Sequence, residues 1–308
     1  MISRRIRLLV LCLPLLAGLG APQRVSAGGQ AQEGPREGLQ VYVSILPEAE
    51  FVERVGGQRV SVEVLVQPGQ SPHSFEPTPR QMAGLARADV YFRIGVEFEN
   101  SLMPRIESTM RELETVDLRR GIQLREIEPH PDEEGEQHGS EVHEHEGLDP
   151  HLWMDPRNVA VMAATIRDTL VRLDPGGRET YEDGYRSYTA ELEALHRRIG
   201  AILAPLKGEI LFVYHPAFGY FADAYGLRQV AVETGGAEPS ARQLARLIDS
   251  ARSRGVRVLF VQPQFARTSA EAVAKAIGGA VVPIDALARD YVTNLQRIAG
   301  AVEEALRR

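Results

Sequence analysis

Residues 178–204 read RETYEDGYRSYTAELEALHRRIGAILA. Within them Tyr181, Tyr185, Tyr188, Leu192, Leu195, Ile199 and Ile202 follow one another at alternating gaps of four and three. That spacing predicts one helix with its apolar side chains along a single face. At a rise of 1.5 Å per residue the helix spans roughly 40 Å, enough to run the height of the whole molecule. A helix packed on one half only is the other reading. Asp174-Pro175-Gly176-Gly177 precedes the stretch and Pro205 ends it.

On both sides of this helix, strand and helix signals alternate. Before it, Gln40–Ile45, Val60–Val66, Asp89–Ile94 and Thr115–Leu118 read as strands. Glu48–Val55, Pro79–Ala88, Ser101–Leu113 and Pro156–Leu173 read as helices. After it, the strands are Glu209–Tyr214, Gln229–Val232, Val256–Val261 and Ala280–Ile284. The helices there fall at about Phe218–Tyr225, Ala241–Arg254, Ser269–Ile277 and Tyr291–Leu306. This rhythm implies parallel β/α units. The chain is therefore α/β: two similar β/α halves with central parallel sheets, joined by a long helix. The boundaries are a leading segment 1–27, an N-terminal lobe 28–175, a connecting helix 176–205 and a C-terminal lobe 206–308.

The leading segment has its own character. Arg4, Arg5 and Arg7 precede an apolar run from Leu8 to about Ala21, and Val25-Ser26-Ala27 offers a small-residue cleavage site. This pattern is that of a secretory signal peptide; a retained anchor helix is disfavoured by Pro14. Cys12, the single cysteine, lies within the apolar run and follows Leu11, which does not suit a lipoprotein attachment site. An exported chain without lipid points to the periplasm. Loss of residues 1–27 removes four arginines and no acids, taking the net charge from −7 to −11. So acidic a surface argues against nucleic acid as a partner.

Residues 126–147 interrupt the β/α rhythm. They hold nine acids and four histidines, His130, His138, His143 and His145. A segment this polar cannot bury a core and is expected to be a surface loop. It is either a solvated spacer or an auxiliary, weak zinc trap.

Three further histidines each follow a strand-like run, or the loop beyond one. His73 lies in Pro68-Gly69-Gln70-Ser71-Pro72-His73, His151 in Asp149-Pro150-His151-Leu152-Trp153, and His215 in Val213-Tyr214-His215-Pro216. A fourth such position holds Asp285. Open α/β sheets bind ligands in the crevice beyond the carboxyl ends of their strands. If the two sheets face each other, all four side chains converge. Three imidazoles with one hard oxygen suit tetrahedral Zn²⁺, whereas Mn²⁺ favours more carboxylate and higher coordination. Taken singly, each residue has a plainer role: Asp285 as a helix cap, Trp153 as packing, and His196, one step off the apolar stripe, as a surface histidine. No HExxH, nucleophile elbow, P-loop or dinucleotide turn is present, so the chain reads as a binding protein and not an enzyme.

Taken together these motifs resemble the periplasmic metal-binding proteins of ABC importers, specifically the zinc-uptake, ZnuA-type group. The resemblance rests on Pro68 to Pro79, on Ala88-Asp89-Val90, on Asp149 to Pro156 and on His215-Pro216-Ala217-Phe218-Gly219-Tyr220-Phe221. Gly236-Ala237-Glu238-Pro239-Ser240 and Phe260 to Phe265 add to it. It implies two domains linked by a rigid backbone helix, modest closure on binding, and metal held between the domains by His73, His151, His215 and Asp285. It also implies delivery of Zn²⁺ to an ABC transporter membrane permease, by a protein expected to be a monomer. Manganese members usually have Glu where His215 stands, so this residue favours zinc; a manganese or iron receptor is the alternative, and a zinc hydrolase a more distant one. Two positions depart from the pattern. Gln262 stands where Glu is common, and Pro72 occupies a place where some zinc members have Glu. The second departure favours Asp285 over water as the fourth ligand.

Overall fold

The computed structural model describes residues 38–127, 147–233 and 240–307. Among these the elements run β1 (Leu39–Val43), α1 (Leu46–Gly56), β2 (Val60–Val64), α2 (Pro79–Leu85), β3 (Val90–Arg93), α3 (Phe98–Thr109), β4 (Glu114–Asp117) and α4 (Pro156–Leu173). They continue with α5 (Arg178–Leu203), β5 (Ile210–Val213), α6 (Gly219–Tyr225), β6 (Arg228–Ala231), α7 (Ala241–Ser253), β7 (Val258–Val261), α8 (Arg267–Ile277), β8 (Ala280–Pro283) and α9 (Tyr291–Leu306). Each expected strand and helix forms, with ends displaced by a few residues.

The strands make two four-stranded sheets, β2-β1-β3-β4 and β6-β5-β7-β8, parallel throughout. Val90, Tyr91 and Phe92 in the first sheet, and Leu211, Phe212 and Val213 in the second, are buried. Near-continuous apolar runs of this kind belong to parallel strands covered on both faces. The two orders are the same permutation, so in both sheets the chain reverses direction of travel next to its first strand. That switch point opens a crevice beyond the strands' carboxyl ends.

Helix α5 supplies the element common to both halves. It buries Tyr181, Tyr188, Leu192, Leu195, Ile199 and Leu203 and packs on α1, α4, α6 and α9. Each of these side chains is worth about 1.5–3 kcal/mol of burial. The apolar stripe differs from the sequence reading at one end: Leu203 is buried and Ile202 only half-buried. A straight helix has 3.6 residues per turn, so a stripe followed by fours and threes drifts, and the last step is four. One contiguous apolar core runs from β1 through α5 to α9, taking in residues of both sheets. The described residues form one compact unit.

The contact between α5 and α1 is close enough to require a glycine. A Cβ on Gly184 would lie 2.5 Å from the Val55 carbonyl oxygen and 2.7 Å from that of Arg54. Gly184→Ala gains about 1 kcal/mol in helix propensity. It meets two backbone atoms that cannot turn aside, an overpacking cost of about 1–3 kcal/mol. The clash wins, and the variant is expected to melt a few degrees below the wild type. An unchanged or higher melting temperature would contradict this packing.

Candidate metal centre

Three loops beyond strands bring three metal-capable side chains together. The loop after β2 carries His73; Phe75 anchors it by an edge-to-face contact with Phe98, ring centroids 4.9 Å apart. The loop then enters α2 through a capping box in which Thr78 and Gln81 satisfy one another's backbone N–H groups. Gln81 also donates to the Leu65 carbonyl at 2.7 Å, tying α2 back to the strand before it. His151 heads a short turn whose Leu152, Trp153 and Met154 are all buried. Asp155 caps α4 by accepting from the Arg157 amide at 2.9 Å, and Pro156 fits the first helical position. His215 follows β5, where Gln262 Nε2 donates to its carbonyl at 2.8 Å.

The three rings meet nitrogen to nitrogen. His73 Nε2 lies 3.1 Å from His215 Nε2, which lies 3.2 Å from His151 Nε2. A tetrahedral ion with bonds of 2.0–2.1 Å has nitrogen–nitrogen edges of about 3.3 Å, close to both distances. Among the described residues these three form the one group of metal-capable side chains within 4.8 Å of one another. A cavity of about 30 Å³ adjoins them, lined also by Glu97, Trp153, Gln262 and Phe265. The Phe265 ring stacks on His215 at 5.0 Å.

Behind each ring stands a carboxylate. His73 Nδ1 is 2.8 Å from Glu97 Oε2, His151 Nδ1 is 2.8 Å from Asp149 Oδ1, and His215 Nδ1 contacts Glu233 Oε1. A carboxylate only accepts, so each Nδ1 carries the proton and each Nε2 presents its lone pair inward. Three lone pairs at hydrogen-bond distance with no proton between them repel, and a cation resolves the conflict. Burial pushes the His215 pKa down to about 4, against the opposing pull of Glu233, and the nearby His151 and His73 add to the lowering. That imidazole therefore stays neutral well below the usual histidine range. Burial also draws the Asp149 carboxyl upward, but its bonds from His151 and then Arg125 outweigh this and hold it below the ordinary carboxylate range.

Asp285, expected as the oxygen ligand, does not join the three rings. Its Oδ1 accepts the Leu287 amide at 2.9 Å and the Gln264 amide group at 3.3 Å. It lines a neighbouring cavity of about 370 Å³ with Gln67 and Arg289. The short polar side chain folds onto the backbone two residues ahead, the turn-forming habit of aspartate. Trp153, taken as packing, is buried, and its Nε1 donates to the Ala286 carbonyl at 2.8 Å. His196 stands away from the centre, 3.2 Å from the Tyr225 hydroxyl. His130, His138, His143 and His145, with the leading segment 1–27, lie outside the described residues. Sequence reading missed Glu97 and Glu233 altogether and gave Asp149 no role. The signal for all three is position: each stands in a loop beyond a strand's carboxyl end or beside a ligand.

Known proteins resemble this chain in sequence and fold. The family model described as zinc-uptake complex component A, periplasmic, matches residues 41–305. A crystal structure of ZnuA superposes with a TM-score of 0.79 at 36% identity, covering 87% of this chain and 99% of that one. A ZnuA deletion mutant with zinc bound gives 0.78 at 35%, covering 87% and 98%. The high-affinity zinc uptake system protein ZnuA of Bacillus subtilis is 29% identical over 282 residues, 87% of this chain and 83% of that protein. The zinc-binding lipoprotein AdcA of Streptococcus pneumoniae is 29% identical over 267 residues, 86% of this chain. The chain spans about half the length of that relative, 52%. The matched span, the paired parallel sheets and the three converging imidazoles together place this chain in the ZnuA family of periplasmic zinc-uptake components.

Proposed function

We propose that this protein is an exported receptor that captures Zn²⁺ between its two sheets and hands it to the membrane permease of an ABC transporter. The observation that carries the reading is the trio of Nε2 atoms, 3.1 and 3.2 Å apart, each ring backed by a carboxylate. An all-nitrogen set of three suits the borderline softness and low coordination number of zinc. Manganese, named for a relative from Halalkalibacterium halodurans that is 28% identical, favours more oxygen than these three rings offer. The fourth position belongs to water or to an Asp285 carboxylate that leaves its present turn. The protein acts as a monomeric carrier and not as an enzyme. Residues 1–27 direct its export to the periplasm, and the histidines of segment 126–147 form an auxiliary weak zinc trap. The sheet-bearing lobes are bounded at 28–175 and 206–308, with 176–205 connecting them.

Titration of the purified, metal-free chain with Zn²⁺ and Mn²⁺ in competition with a chelator tests this. One tight zinc ion per chain is expected, held far above manganese. Preference for manganese, or no tight site at all, would sink the proposal.

A further inference from the structure

One guanidinium stands behind the metal centre and touches both halves of the molecule. Arg125 belongs to the N-terminal half, where its carbonyl accepts the Asp149 amide at 2.9 Å. Its Nη1 donates to Asp149 Oδ2 at 2.8 Å. The Asp149 side chain is fully buried, and its other oxygen takes both the amide and Nδ1 of His151, at 2.9 and 2.8 Å. Every direction in which this carboxylate could swing is thereby fixed. The same guanidinium donates from Nε to Asp223 Oδ2 at 2.9 Å, on α6 of the other half. The Arg125 amide donates to the Tyr220 hydroxyl at 3.0 Å.

The chain makes room for this arrangement. A Cβ on Gly219 would lie 1.6 Å from Arg125 Nη1 and 2.6 Å from Asp149 Oδ2. Gly219 opens α6 only four residues after His215. The support for one imidazole is therefore braced against the segment that follows another. Lysine could satisfy Asp149 or Asp223, but a single point charge lacks the fork that reaches both.

We infer that Arg125 is a positioning residue for the metal centre: it fixes Asp149, and through it the aim of His151, against the half of the molecule that carries His215. The inference rests on the zinc reading above. Asp149, one bond removed from the ligand, is a support of the kind that sets affinity by about 10- to 100-fold, and Arg125, one bond further out, acts at the low end of that range.

The test measures zinc affinity, the visible absorption of the Co²⁺-loaded protein and the melting temperature of the metal-free chain. Wild type is compared with Arg125→Met, Arg125→Lys, Gly219→Ala and Asp223→Asn. Arg125→Met is expected to bind one zinc about tenfold more weakly, with an altered Co²⁺ spectrum. Gly219→Ala should reproduce this without removing a charge, and Arg125→Lys should recover part of the affinity. If Arg125→Met fails to fold, Arg125→Lys and Asp223→Asn decide: affinities and spectra equal to wild type overturn the inference. So does an Arg125→Met protein with lowered melting temperature but wild-type zinc affinity and spectrum, since Arg125 is then a structural tie alone. A wild-type chain without a tight zinc site defeats the functional reading itself, a distinct result.

Discussion

Replacing His215 with alanine should weaken zinc binding by about two to three orders of magnitude. The reckoning is that an apparent binding free energy of ~10–16 kcal/mol is shared among about four ligands, about 2.5–4 kcal/mol each. His215 is the central ring, within 3.2 Å of both others, so its loss leaves no adjacent pair at these distances. Asp285→Ala should cost about tenfold at most, the size of an outlying support, because its Oδ1 is committed to Leu287 and Gln264. Chelator-competition titration separates the two. Equal losses for His215→Ala and Asp285→Ala would mean that Asp285 leaves its turn to bind the ion as a full ligand.

The second large effect concerns two carboxyl groups unconnected with the ion. Glu48 and Glu99 are fully buried beside β1 and β3. Glu48 Oε2 accepts the amides of Ser44 and Ile45 at 3.0 and 2.9 Å, while its Oε1 has no partner among the described residues. Burial, and then the charge of Glu99, push the Glu48 pKa well up, against the pull of those amides. Burial likewise raises Glu99, although it accepts from the Ser44 hydroxyl and the Ile94 and Gly95 amides. A group raised in the folded state contributes its stability below the unfolded value, near 4.5, and loses it as pH climbs through the folded value. Within that window each such carboxyl costs about 1.4 kcal/mol per pH unit. Glu48→Gln keeps an oxygen for the two amides and cannot ionise. Its stability relative to wild type should therefore rise steadily from about pH 4.5 upward, as read by urea unfolding of the metal-free chain. A difference that stays flat across that range would show that Glu48 ionises normally.

Much of this molecule was legible because its elements obey simple periods. The α5 stripe, the apolar runs of β5 and β7 and the Pro-led start of α4 all follow from local spacing. The three histidines were legible because strand ends in parallel sheets are where ligands gather. What stayed hidden depends on the order in which the strands assemble into each sheet. Glu97 lies 24 residues from His73, and Glu233 lies 18 from His215. Each pair forms because its two loops leave the same edge of one sheet, and that order is set by packing of the whole chain. The role of Gln262, which stands where Glu is common, likewise depends on the assembled fold. In the structure its amide clamps the His215 backbone, and Glu233 provides the negative partner. Asp285 stands apart from the three rings for a local reason: a backbone amide two residues on takes the same oxygen.

The wrapping of the three rings is uneven, with side-chain exposures of 21% for His73, 8% for His151 and 6% for His215. Water and competing chelators therefore reach the outermost nitrogen first. An ion held by all three would leave by peeling that one bond first, while the inner pair kept its grip.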